Sequence, residues 1–274
     1  MFAPTPGRLV PEPEDLIEWM GVEGAFDLDE LIRMGSLDAR LVATIWYGLA
    51  RRRSLVVAAG PRLAGKSTTA PALLALVPAG TPFLPVGGGF PADLLNSIGA
   101  GSAPYLVVNE VSSGIPGRYL WGDDVRSLLL AREGGLPFVG TLHASTPEEV
   151  VETFSGPPLM LDPELVAGSL DMVLNLRESH RDGHGARALA LVGSVERPGI
   201  RELMRWAPEP RRFKHADERE TGAALGSFDD SDPDQVIEEL SQRTSFLEGL
   251  VARRSDASAR NTRLRDELRA FNPA

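Results

Sequence analysis

Gly60-Pro61-Arg62-Leu63-Ala64-Gly65-Lys66-Ser67 fills the spacing G-x-x-x-x-G-K-[ST] at each of its fixed positions. The chemistry open to such a segment is the grip of a phosphate chain. Gly60 and Gly65 let the backbone curl closely around phosphate oxygens, while the amides and the following helix N-terminus offer partial positive charge. Lys66 can reach the β- and γ-phosphates, and the Ser67 hydroxyl can hold Mg²⁺. The binding set expected here is Gly60, Pro61, Arg62, Leu63, Ala64, Gly65, Lys66, Ser67 and Thr68. The motif needs a strand before it and a helix after it. Ser54 to Ala59 is apolar and partly β-branched, as a buried strand requires, and Thr68 to Val77 reads as a helix.

The elements that must position this loop follow from the rest of the pattern. Pro13 to Met20 and Leu28 to Met34 read as short helices, and Ser36 as the cap of a longer helix that ends at Arg51-Arg52-Arg53, where cations suit the dipole. Tyr105-Leu106-Val107-Val108 reads as a second buried strand ending at Asn109-Glu110. A helix from Val125 to Arg132 leads into a third, Pro137 to Leu142. Strands alternating with helices imply a parallel sheet with its ligand at the strand carboxyl ends. Thr146-Pro147-Glu148-Glu149 starts a further helix with a hydroxyl cap and a proline at the first position. Leu170 to Leu176 and Ala186 to Val195 read as an antiparallel edge pair around the polar turn His180 to Gly185. His180 and His184 have the spacing of metal ligands, but no carboxylate or thiolate cluster accompanies them, so solvated turn histidines are the preferred reading.

Acids, glycine and proline between Lys214 and Asp234 predict a mobile connection, after which Asp232 or Asp234 caps closing helices. Arg253, Arg254, Arg260, Arg263, Arg265 and Arg269 read as a solvated helix face. The expected division is a helical lead-in at 1–36, a core at 37–213, an acidic linker at 214–234 and a helical extension at 235–274.

Composition narrows the function classes. The chain has 274 residues, 43% hydrophobic and 24% charged, enough to bury a sizeable core. A formal charge of −10 argues against bulk attraction to nucleic acid or anionic lipid. No apolar run reaches the roughly 18 residues of a membrane span, and no export signal is readable, so a cytoplasmic place is expected. Without cysteine, disulfides and thiolate metal sites are excluded.

Two further motifs decide among the users of a phosphate loop. Tyr105-Leu106-Val107-Val108-Asn109-Glu110 resembles the Walker B strand of the type II and type IV secretion, pilus and archaellum ATPases. Gly140-Thr141-Leu142-His143-Ala144-Ser145 resembles the histidine box of the same family. Leu28 to Leu37, Pro157-Pro158-Leu159, Leu170 to Leu174 and Leu240 to Leu247 follow that family's order, so the resemblance runs from Leu28 to the C-terminus and covers the motor domain. It implies a RecA-like P-loop NTPase core, α/β in class, with a mainly parallel sheet, an antiparallel edge and helical extensions at both ends. It also implies ATP and Mg²⁺ as ligands, with Lys66 on the β- and γ-phosphates, Ser67 on the metal, Glu110 activating water and His143 sensing the γ-phosphate. The implied partners are copies of the chain in a hexameric ring, or a related full-length ATPase in a hetero-ring, and a polytopic inner-membrane platform protein. No direct contact with nucleic acid is implied.

The chain departs from the family in places. Phe83 to Phe90, where the family has an acidic box, holds no acid. Asn109 and Ser112 stand where it tends to have Gly and Arg around the Walker B glutamate, and Arg62 and Ala64 where it commonly has Thr and Ser. The family's N-terminal domain, which supplies arginines between subunits, is expected to be absent or reduced. One such arginine can carry roughly 10³-fold or more in rate. Arg33, Arg40, Arg51, Arg52 and Arg53 are the cations that could replace it. An alternative reading is therefore a nucleotide-binding accessory subunit without turnover. A small-molecule phosphotransferase ranks third, as no arginine-rich lid is readable.

Overall fold

Leu55, Val56, Val57 and Ala58 are buried on both faces, and such a strand needs helices above and below it. The computed structural model describes residues 7–17, 19–20, 27–60, 65–90, 103–181, 184–196, 199–207, 209, 212–254 and 264–271, with backbone alone for 178–194 and 196. Its strands are β1 (Leu55–Ala58), β2 (Phe83–Val86), β3 (Tyr105–Val111), β4 (Phe138–Leu142), β5 (Met172–Arg181), β6 (His184–Glu196), β7 (Gly199–Ala207) and β8 (Arg212–His215). A 3₁₀ turn at Pro13–Leu16 precedes the helices α1 (Leu28–Arg33), α2 (Ala39–Ala50) and α3 (Lys66–Leu74). The others are α4 (Asp123–Glu133), α5 (Pro147–Ser155), α6 (Pro163–Ser169), α7 (Glu218–Gly226), α8 (Pro233–Arg254) and α9 (Leu264–Arg269).

The strands form one sheet in the order β2-β3-β4-β1-β5-β6-β7-β8. Pairing is parallel from β2 through β5 and antiparallel from β5 through β8. This is the mainly parallel α/β sheet with an antiparallel edge that the sequence leads one to expect. Alternation divides the buried residues between two layers. Leu55, Val57, Val107, Val139 and Leu174 face α2, α3, α8 and α9, whereas Val56, Ala58, Val108 and Val173 face α4, α5 and α6. At the lower rim, the Asp171 carboxylate accepts from Ser54 N at 2.7 Å and from Arg132 Nε at 2.9 Å, with Arg53 Nη1 at 3.4 Å. It thus ties the starts of β1 and β5 to α4.

Several local expectations are corrected. The cap of α2 is Asp38, whose side chain accepts from Leu41 N at 2.7 Å. Ser36 belongs to the end of α1: Gly35 takes φ +72°, and the amides of Ser36 and Leu37 both return to Leu31 O. The stretch 214–234 is not a featureless connection, because it holds the end of β8 and the helix α7. Asp217 caps α7 by accepting from Arg219 N at 2.9 Å, and α7 packs on α8. The glycines that read as loop residues serve that packing. A Cβ at Gly222 would lie 2.7 Å from Pro233 O, and one at Gly226 2.6 Å from Ser231 O.

The C-terminal arginines are corrected as well. Arg254 and Arg265 are buried, and their guanidinium groups meet acids of the N-terminal segments instead of solvent. Arg254 reaches Asp27 at 3.2 Å, Asp29 at 3.2 Å and Glu267 at 3.0 Å, and Arg265 pairs with Glu12. Arg260 and Arg263 lie outside the described residues. Removing one member of a buried ion cluster leaves the others uncompensated, at a cost of about 3 kcal/mol or more. Arg254→Ala is therefore expected to lower unfolding free energy by about that amount in a denaturant titration, while Arg253→Ala, whose side chain is 58% exposed, changes it by less than about 0.5 kcal/mol.

Candidate functional site

Parallel pairing aligns the carboxyl ends of β1, β4 and β3, and the three residues singled out for chemistry meet there. Lys66, at the first position of α3, is 6% exposed, and its Nζ lies 3.2 Å from Nδ1 of His143, just past β4. The ammonium donates in this contact and the ring nitrogen Nδ1 accepts. Nε2 in turn faces Glu110 Oε2 at 3.5 Å, near the end of β3. Cation, imidazole and carboxylate thus stand in a row. Burial lowers the Lys66 pKa below the ordinary lysine value, and the Glu110 charge opposes that shift.

The backbone around each group explains its aim. Gly65 takes φ +96° as the N-cap of α3, and no side chain caps that terminus. Its carbonyl accepts from Thr69 N at 2.8 Å, which turns the chain directly into the helix behind Lys66. Ser67 is exposed and Thr68 half-buried. A Cβ at Gly60 would lie 2.2 Å from Ser145 Oγ and 3.1 Å from Ser145 Cβ, so only glycine lets the loop start lie against the segment after His143. Pro61, Arg62, Leu63 and Ala64 lie outside the described residues.

Glu110 owes its direction to a bulge. Val108 is opposite Gly140 and Val111 opposite Leu142, so β3 carries one residue more than β4 across this interval. The Thr141 hydroxyl donates to Asn109 O at 2.5 Å within the bulge, and Leu120 N donates to Glu110 O at 2.9 Å from the loop that follows. His143 is held from the other side. Asn175 Nδ2 donates to Ala144 O at 3.0 Å, and Glu149 accepts from Ser145 N at 2.6 Å while Thr146 caps α5.

Sequence reasoning brought Lys66, Glu110 and His143 to this site and named Thr141 and Asn109 only as motif neighbours, and it missed Asn175, Arg118 and the Trp19 carbonyl that support them. An asparagine directly ahead of the strand-end glutamate was the one readable signal. The arginines considered as replacements are engaged within the chain. Arg51 pairs with Asp229 and Glu239, Arg53 with Asp171, Arg40 with Glu218 and Arg33 with Asp29. Arg52 Nη2 lies 3.5 Å from Pro104 O. In the stretch where the resembled family has an acidic box, Gly87 and Gly88 meet the backbone of the loop after β3: added Cβ atoms would lie 2.3 Å from Gly117 O and 2.9 Å from Tyr119 O. The side chains of His180 and His184 lie outside the described residues. Among the described residues no group of three or more His, Asp or Glu could hold a metal ion.

The donor set fits a phosphate chain. It combines a helix N-terminus left uncapped by any side chain with the Lys66 ammonium at its first position. A magnesium ion there would need phosphate oxygens to complete its shell, with Ser67 as the protein's hydroxyl.

No family model matches the chain. Among curated proteins it is 24% identical over 254 residues to the uncharacterized protein MJ1287 of Methanocaldococcus jannaschii, covering 81% of this chain and 90% of that one. Among solved structures it resembles the VirB11 ATPase of the Brucella suis type IV secretion system, crystallised with sulphate, at 18% identity and TM-score 0.41. That overlap spans 55% of this chain and 50% of the other. It also resembles the Legionella pneumophila ATPase DotB, at 14% identity and TM-score 0.43, over 81% of this chain and 58% of that one. The matched stretch thus spans 50% of the length of the first solved ATPase and 58% of the second.

A lysine whose pKa falls on folding weighs on stability most below both its folded and unfolded values, and less as pH rises through the folded one. Lys66→Met is therefore expected to raise the melting temperature at pH 7 without nucleotide. The gain should shrink in alkaline buffer as the buried ammonium loses its proton. Differential scanning calorimetry across pH tests both signs.

Proposed function

We propose that this chain binds ATP with Mg²⁺ and hydrolyses it as a motor subunit of a type IV pilus-like or type II/IV secretion apparatus. The observation that carries the reading is the row Lys66, His143 and Glu110 at three adjacent parallel strand ends, directly behind a phosphate-loop sequence. Lys66 would leave the His143 nitrogen for β- and γ-phosphate oxygens, the Ser67 hydroxyl would hold the metal, and the metal would neutralise phosphate charge. Gly60, Gly65 and Thr68 would line the cradle, together with Pro61, Arg62, Leu63 and Ala64. Glu110, freed from the imidazole edge, would orient the attacking water, and His143 would report the presence of the terminal phosphate. Phosphoryl transfer needs positioning and charge stabilisation more than reactive side chains, and this set supplies both.

The partners proposed are further copies in a hexameric ring, or a related full-length ATPase in a hetero-ring, working on a polytopic platform protein at the cytoplasmic face of the membrane. Among the described residues no helix is long and apolar enough to cross a membrane, consistent with attachment through partners. A second reading, a nucleotide-binding ring component without turnover, is favoured by Gly87 and Gly88 in place of an acid and by the committed arginines. It predicts tight binding and release of phosphate only on mixing with a full-length relative.

Phosphate release and nucleotide binding by the purified chain decide between them. Lys66→Ala is expected to weaken ATP binding by at least about tenfold, the value of a lost charge-assisted contact. Glu110→Gln is expected to keep affinity within a few-fold and to lower turnover by about 10²-fold or more. Equal background release from the parent and both variants, with binding intact, would leave the second reading; absence of binding would overturn both.

A further inference from the structure

We infer that residues 7–17, with Trp19 and Met20, act as a strap that sets the position of Glu110, and that Asn109 and Arg118 are positioning residues working through the backbone carbonyl of Trp19. The inference rests on the proposed nucleotide site and adds a control element to it. Asn109 is buried, and its Nδ2 donates to Trp19 O at 2.8 Å. Arg118, in the loop after β3, donates from Nη2 to the same oxygen at 2.9 Å. That loop is itself tied to the strand end, since Leu120 N donates to Glu110 O at 2.9 Å and Ser112 N to Leu120 O at 3.0 Å. One carbonyl therefore holds the residue before the carboxylate and the loop behind it.

The rest of the strap is fastened to the other parts of the site. Val10 and Phe83 exchange backbone hydrogen bonds of 2.8 and 2.7 Å, and Gly7 N donates to Pro85 O at 3.0 Å, so the strap pairs with β2 at the sheet edge. The 3₁₀ turn packs on α3, the helix that begins with Lys66. Glu12 is gripped by Arg265 and Arg269 of α9. Leu16, Trp19 and Met20 are buried beneath this arrangement.

Packing alone does not ask for this chemistry. Burying an asparagine and aiming a guanidinium at a single carbonyl costs desolvation that an apolar contact would avoid. What two convergent donors add is a fixed direction, and direction is what Glu110 needs, because its bulged peptide lies between the Thr141 hydroxyl on Asn109 O and the Leu120 amide on its own carbonyl. A shift of the strap would move the bulge and with it the carboxylate. Linkage requires the reverse, that a ligand which fixes Glu110 also fixes the strap.

The test combines hydrogen exchange with steady-state kinetics on the full chain. Asn109→Asp keeps the shape but turns a carboxylate toward the Trp19 carbonyl, Arg118→Ala removes the second donor, and Arg118→Lys retains one. The expected result is amide exchange at least tenfold faster at both residues 7–20 and 106–112 in Asn109→Asp and Arg118→Ala. With it should come a fall in kcat of tenfold or more at a KM within threefold, with most of both effects recovered in Arg118→Lys. Saturating Mg²⁺ and non-hydrolysable ATP should slow exchange across residues 7–20 in the parent. Faster exchange in the strap with kcat unchanged, or unchanged exchange at 106–112, would overturn the inference. Should the parent prove unable to turn over ATP, the activity reading fails by itself, and exchange at the two segments still decides the strap. Arg118→Ala, on a loop outside the sheet, serves where Asn109→Asp does not fold.

Discussion

Parallel pairing of β1, β4 and β3 is the constraint on which the rest depends. Strands that run in one direction finish at one edge, so the turn after β1, the segment after β4 and the bulged end of β3 are neighbours although 77 residues separate Lys66 from His143. Parallel strands must also be joined by crossovers, and these bring the helices that bury both sheet faces. The same geometry that builds the core thus gathers a cation, an imidazole and a carboxylate at its rim.

Charge is used internally to a degree the net value of −10 conceals. Arg51 joins α2 to Glu239 of α8 and to Asp229, Arg254 joins α8 to the acids around α1 and to Glu267 of α9, and Arg265 joins α9 to Glu12. Arg243 lies over the Trp46 ring with its centroid 4.5 Å away and within reach of Phe271, where three aromatic rings meet between α2 and the C-terminal helices. Segments from both ends of the chain are therefore welded to one face of the sheet, behind the helix that carries Lys66. These arginines hold the fold.

Directional hydrogen bonds to backbone carbonyls account for the residues flanking the site. Thr141, Asn109 and Asn175 are all buried, and each spends a hydrogen bond on a backbone carbonyl of a neighbouring strand or segment. Such bonds are directional where apolar packing is not, so they hold the loops that bear Glu110 and His143 in a single arrangement.

Much of this was legible in the sequence, because it depends on local pattern. Apolar β-branched runs located β1, β3 and β4, the Thr146-Pro147 start located α5, and the spacing of Gly60, Gly65, Lys66 and Ser67 marked the phosphate loop. What could not be read were properties set by distant partners. Asp38 caps α2 in place of Ser36 because Gly35 turns the preceding helix back on itself. Gly222 and Gly226 mark a close helix contact instead of a loop, and Arg254 and Arg265 are buried because acids more than two hundred residues earlier, Asp27, Asp29 and Glu12, receive them. The sequence by itself determined where β1, β3, β4 and the phosphate-loop pattern lie and which side chains carry charge. Only the tertiary structure decided which of those charges meet, since that follows from strand order and from burial, and neither is a property of any local stretch of chain.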